Sequence, residues 1–340
     1  MMMNNKDRTV QILSGFSLMM LIFISIINPQ NHSILYHFFT WLTWPTIFFI
    51  AGYTLNVNTT LVAQIMMAVR RYLIPYFIVG ILIIPLNKVV QLLHIQGWLN
   101  APFLGMGKGL KALLYGNSAP VVTIFGYFDT GIGLLWILMA LFVASVLLSL
   151  ITKIRSLYVL IFCVVLSAGL ASYLSTVIQL PWSVESAMVG LPFMLFGLKY
   201  KQMRDWSAGL ATVIAAILVD WTISMSSGLD MANANVPFWI LGIVVAFISL
   251  SGLVIIANYI DFKFSKFSKF FSKIGSHLSI NLAVFAFIST MIPVGNYVSH
   301  ILSNGIVNLS IVLLIMLTIT MVFKFYIVKI FTFKNGREVE

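Results

Sequence analysis

Apolar residues in this chain run in long unbroken stretches, neither alternating as in half-buried strands nor confined to one helical face. A helix crossing a bilayer needs about 20 mostly apolar residues, because each adds ~1.5 Å across a hydrocarbon core ~30 Å thick. Ten segments meet that description: 10–27, 34–55, 72–93, 131–151, 157–175, 183–198, 208–225, 238–260, 274–293 and 307–327. The shortest, 183–198, also holds Pro192. The first follows Lys6 and Arg8 as a secretory signal would. It is too long for a signal's apolar core and shows no small-x-small cleavage site, so it reads as a retained helix.

Composition agrees. Of 340 residues, 60% are hydrophobic and 9% are charged, and the mean hydropathy is +1.02. A soluble domain is about one quarter charged, so this chain cannot cover a water-facing surface. The fold class expected is all-α, a single polytopic integral membrane domain of about ten transmembrane helices over residues 1–340, in the plasma membrane. Cys163 is the one cysteine, which excludes an intrachain disulfide.

The net charge of +11 raises nucleic acid as a partner, and the placement of the charges answers it. With ten spans, Lys88, Lys108 and Lys111 fall on one set of alternate connections, and the remaining seventeen of the 20 Lys and Arg residues on the other. Basic connections stay cytoplasmic, so both termini are expected inside and no nucleic acid is expected. The alternating Lys and Phe of 261–273 read as an amphipathic helix at the cytoplasmic leaflet, with phenylalanines among lipids and lysines at anionic headgroups.

The segment 94–130 is the one long exterior connection, holding Gly105, Gly107, Gly109, Lys108, Lys111 and Asp129. It reads as a binding surface or as an interfacial helix over 104–114 with its lysines in water. The second reading is preferred. No Walker spacing, HExxH, GxSxG, dinucleotide fingerprint or Cys/His metal spacing is present, and no metal is expected. Ionisable groups at membrane depth mark functional sites. Asp220 falls in the outer half of its span, Glu185 at the outer end of its own, and His32, His37, His94 and His300 on or near the exterior side. An exterior cleft in which His37 is a general base oriented by Asp220 or Glu185 is one expectation. The other is a set of separate interfacial groups.

Several stretches, in order, resemble a known family. Trp44-Pro-Thr-Ile-Phe-Phe-Ile-Ala-Gly-Tyr53 resembles the "MPLFFFISGY" segment of acyltransferase-3-type membrane proteins, the group that includes fucose O-acetylase-like proteins. Arg70-Arg-Tyr-Leu-Ile-Pro-Tyr76 resembles its "RLLIPY", and Gly133-Leu-Leu-Trp-Ile-Leu-Met-Ala-Leu-Phe142 its "GPLWFLLALF". Leu191-Pro-Phe-Met-Leu-Phe-Gly197 and Ile274-Gly-Ser-His-Leu-Ser-Ile280 are similar to "LPFFLLGY" and "IGKNSL". The resemblance covers about residues 8–285. It implies transfer of an acyl group, with acetyl-CoA or another acyl-CoA as donor, to a sugar of a surface polysaccharide or its lipid-linked precursor. Arg70 and Arg71 would then meet the CoA phosphates. The chain departs from the family where the chemistry is expected. The first-helix "DIxKGIGIxLVVLGH" is replaced, so that Gln11, Ser14 and Ser25 stand where aspartate, lysine and histidine are usual. Thr43 stands at the histidine of "FHMP", and Ala286 near a further one. Serine is no base near neutral pH, so either His32 or His37 has taken over or the protein does not catalyse that reaction. The alternatives are an inactive relative that binds, passages or scaffolds a lipid-linked glycan, and a secondary transporter with proline-broken helices.

Overall fold

The computed structural model describes residues 5–27, 33–118, 120–123, 126–154, 156–202, 210–293 and 315–325. In chain order the helices are α1 (Asn5–Ile26), α2 (Ser33–Thr54), α3 (Leu61–Ala68), α4 (Ile74–Leu92), α5 (Met106–Tyr115), α6 (Trp136–Ile151), α7 (Leu157–Leu174), α8 (Val184–Gln202), α9 (Leu210–Ser224), α10 (Ile240–Lys263), α11 (Ser265–Gly275) and α12 (Leu278–Met291). A further helix, α13, spans Ile315–Phe325. Among the described residues the protein is all-α apart from one short ribbon. Six described helical stretches are long and apolar enough to cross a membrane, and α11 with α12, bent by 67°, would make a seventh as one span. α9 and α13 are apolar but shorter. Each of the ten expected segments falls on a helix, the last in its described part. His32 and His300, and the residues before 5 and after 325, lie outside the described residues.

Two elements depart from the sequence pattern for visible reasons. The third helix starts eleven residues before the expected span at 72 and runs from Leu61 to Leu92 without a break. It includes a π-helical turn, Val69–Leu73, closed by the Ile74 amide donating to the Val69 carbonyl. Pro75 follows, and proline neither donates nor tolerates the carbonyl four residues back. A π turn absorbs such a break without ending the helix. α8 contains Glu185, Lys199 and Lys201, and most of its residues are nevertheless buried, from Glu185 to Tyr200. It is an interior helix, packed against α2, α6 and α7.

α2 and α8 meet backbone to backbone. A Cβ on Gly52 would strike the Met194 carbonyl, and one on Gly197 the Phe49 carbonyl and the Tyr53 amide. Where lipid is as apolar as the side chains, such small residues let helices approach closely enough for dispersion to hold them. α1 and α11 meet in the same manner, Gly15 beneath Phe271 and Gly275 against Gln11, with the Phe16 and Phe271 rings 4.4 Å apart, edge to face. α11 is thus anchored on one side, while Phe267 and Phe270 point outward. The Lys324 ammonium reaches the carbonyls of Lys273 at 3.2 Å and Ile274 at 3.1 Å, the Ser276 carbonyl, and the Ser276 hydroxyl at 2.9 Å. Lys324 thus serves two of the carbonyls that end α11, Asn281 Nδ2 donates to Ile274 as well at 2.8 Å, and the Ser276 amide closes on Ser272 at 3.0 Å.

The segment 94–130 is more structured than a loop. Its expected interfacial helix forms as α5, but folds back on α4 instead of lying free: Leu113 fills the space over Gly80, and Gly109 sits against Phe103 and Ile84. The Tyr76 hydroxyl donates to the Leu113 carbonyl at 2.5 Å, Trp182 Nε1 to Leu114 at 3.0 Å, and the Ser183 hydroxyl to Gly116 at 2.5 Å. Beyond α5, β1 (Val121–Thr123) and β2 (Gly126–Phe128) form an antiparallel ribbon with Val122 opposite Tyr127. The Val122 carbonyl also takes the Gln179 amide at 3.0 Å. Lys111 remains exposed, whereas the Lys108 ammonium pairs with Asp129.

A polar cavity at one end of the bundle

A cavity of about 980 Å³ opens where α1 ends and α2 begins, closed on its other sides by the 100–134 segment, the α9–α10 connection and the end of α12. His37 and Thr40 enter it one turn apart on α2, with Tyr36 and Trp44. The Trp44 and Trp136 rings lie 5.6 Å apart. The lining thus offers flat aromatic faces beside hydroxyls, amides and carboxylates.

The His37 wall is fixed by the turn after α9. Ser224 is the last residue of α9, so its carbonyl has no helical donor, and it lies 3.0 Å from His37 Nδ1. A carbonyl only accepts, so Nδ1 carries the hydrogen and Nε2 of the neutral ring is the proton acceptor. Neighbouring bonds lock this arrangement. The Thr40 hydroxyl donates to the His37 carbonyl at 2.7 Å and accepts the Leu229 amide at 3.1 Å. Trp41 Nε1 donates to the Ser227 carbonyl at 2.9 Å. Gly228 must be glycine here, since a Cβ would come within 2.7 Å of the His37 ring and 2.8 Å of the Thr40 hydroxyl.

Two carboxylates share this cavity with His37. Asp230, in the α9–α10 connection, accepts the Asn233 side-chain amide at 2.7 Å and its backbone amide at 3.3 Å. The Asp230 and Asn235 backbones pair across the turn, and Asn233 accepts Gln179 Nε2 at 3.0 Å. Asp129 stands at the rim, half exposed, and its bond from the Lys108 ammonium holds its carboxyl below the usual carboxylate range. Asp230 and Asn233 were missed in the sequence. The available signal was an acidic residue in a connection that the charge pattern places outside.

The expected grouping of His37 with Asp220 or Glu185 is not what the geometry brings together. Asp220 does not line this cavity; its side chain borders a separate apolar one. Glu185 is buried near the start of α8, where its carboxylate accepts the Leu180 amide from the segment that leads into the helix. Arg70 and Arg71 belong to the π-helical turn within the 61–92 helix, and neither lines the cavity. The Arg71 guanidinium lies 5.4 Å over the Tyr72 ring, and neither arginine has a carboxylate partner among the described residues. Ser25, at the position of the family-type first-helix histidine, does line the cavity with His37, its hydroxyl donating to the Ile22 carbonyl at 2.7 Å. Ser14 and Thr43 are buried in the bundle with hydroxyls that have no partner among the described residues. Ala286 is buried on α12. No protein-family model, no curated protein and no solved structure matches the chain.

Proposed function

We propose that this protein is an acyltransferase-3-type O-acyltransferase of the plasma membrane, acting on a sugar of a surface polysaccharide or its lipid-linked precursor. The observation that carries this reading is His37: a ring whose Nδ1 is tied to a carbonyl, leaving Nε2 as base, on the wall of a polar and aromatic cavity. The same cavity contains Ser25, the position at which the resemblance expects the base. In the reaction, a sugar hydroxyl oxygen bonds to the thioester carbonyl carbon of the acyl donor, its proton passes to His37 Nε2, and the carbon–sulfur bond breaks to release CoA, whose sulfur takes up a proton. Asp230 and Asn233 would hold neighbouring hydroxyls, and the Trp44 and Trp136 faces the apolar side of the sugar ring. Arg70 and Arg71, without a carboxylate partner among the described residues, would meet the donor's phosphates.

This reading takes the chain through the membrane ten times with both termini in the cytoplasm. The polar cavity then faces outward and the double arginine inward. The motif departures at Ser14, Ser25, Thr43 and Ala286 favour a second reading, a non-catalytic relative that binds the same glycan. Transfer of radiolabelled acetyl from acetyl-CoA to a cell-envelope glycan fraction separates the two. Purified protein should transfer acetyl, and His37→Ala should lower the rate by at least about 100-fold. Glycan binding without transfer would establish the second reading, and full activity of His37→Ala would remove His37 from the mechanism.

A further inference from the structure

A second cavity, of about 460 Å³, lies among α1, α2, α9, α10 and α11. Its wall is hydrocarbon and aromatic, with Phe16, Phe23, Phe39 and Phe271 prominent, and only Asp220 and Ser249 break it with a charged or hydroxyl side chain. Asp220 is 1% exposed, and neither of its carboxylate oxygens accepts a hydrogen bond from any of the described residues. The Ser224 hydroxyl, one turn along, donates instead to the Asp220 backbone carbonyl at 2.7 Å. Ser249, on α10, is 2% exposed and its hydroxyl also has no partner. Among the described residues, no lysine, arginine or histidine lines the cavity.

Buried polar groups in folded proteins are hydrogen-bonded, and a carboxylate away from water is among the costliest to leave alone. Within a membrane such a group marks a ligand or ion path. The lining supplies no partner, so the occupant must. We propose that this cavity binds a long-chain alkylammonium, its ammonium held by Asp220 and Ser249 and its chain lying among the phenylalanines. The hydrogen-bonding capacities match: a primary ammonium presents three donors and no acceptor, against three oxygens unpartnered among the described residues. The surrounding rings add favourable cation–π contact. A neutral alcohol would leave the carboxylate uncompensated. A phosphate-bearing headgroup would bring negative charge into a lining with no cation. The volume lies within the range of small-molecule sites.

Native mass spectrometry of the full-length protein, purified in a neutral maltoside detergent, tests this. Decylammonium, decanol and a short-chain phosphatidylethanolamine are offered at equal concentration. Wild type should retain one decylammonium and at least about tenfold less of the other two, the margin of a charge-assisted contact. Asp220→Asn should lose that preference by a similar factor, and its thermal unfolding without ligand should show that it is folded. Ser249→Ala should weaken decylammonium retention too, and decides the matter if Asp220→Asn does not fold. Equal retention of amine and alcohol by wild type would show a hydrocarbon groove only. Preference for phosphatidylethanolamine, or unchanged decylammonium retention in Asp220→Asn or Ser249→Ala, would overturn the assignment.

Discussion

At the scale of single residues, a group's place along its helix decides what it can reach. Asp220 and Ser224 are one turn apart on α9, yet the Asp220 carboxylate enters an apolar cavity while the Ser224 carbonyl meets His37 at the polar one. The sequence marks Asp220 as a costly group at depth, but a helix apolar all round carries no stripe to say which way it is turned. His37 was legible as a titratable group near the exterior. Its tautomer was not, because the atom that sets it belongs to a residue 187 positions away. The rim pair of Lys108 and Asp129 permits a pH test. Because the Asp129 carboxyl titrates lower in the folded protein, its contribution to stability is present above the ordinary carboxylate value and is lost as pH falls through the folded one. Lys108→Gln should therefore lower the melting temperature slightly at neutral pH and not at all in strong acid. The difference should shrink with added salt, since both side chains are exposed. A gap that persists in acid would assign the lysine another role.

At the scale of elements, length and hydropathy made the helices readable, while their contacts were set by features with little signal in a hydropathy profile. α8 is the clearest case. It looked the weakest span, short and holding Pro192, and it is one of the most enclosed helices of the bundle. Its place depends on Gly52 and Gly197, which in sequence are two of 22 glycines. Gly52→Ala or Gly197→Ala should force α2 and α8 apart at a cost of about 1–3 kcal/mol or more, read as a drop in thermal unfolding temperature in detergent. Gly97→Ala, where a Cβ would meet nothing, is the control and should leave it unchanged. The π-helical turn at Val69–Leu73 was foreshadowed by Pro75, though proline alone does not say whether a helix ends, kinks or adds a residue. In the 94–130 segment the glycine cluster carried no role in the sequence, whereas Gly109 lets α5 pack on Phe103 and Gly116 lets it end next to Trp182.

At the scale of the whole molecule, the charge pattern makes a topological statement that chemistry in intact cells can check. Cys163 is the one native thiol, half-buried on α7, so Cys163→Ser yields a background without cysteine. Single cysteines in place of Lys111, Lys153 and Lys266 should then divide. The first should react with a membrane-impermeant maleimide from outside, the other two only after permeabilisation. The opposite division would invert the proposed faces for glycan and donor. The contact of α2 with α8 has one more consequence. His37, Thr40 and Trp44 ride on a helix welded to the bundle interior by its own Gly52 and by Gly197 of α8, so their side of the cavity cannot yield. The facing side is built from connecting segments at Asn100, Pro102, Asp129 and Pro293, which have more freedom to adjust. The protein should accordingly be strict about the few atoms of a guest that touch the histidine and lenient about the bulk that trails behind them.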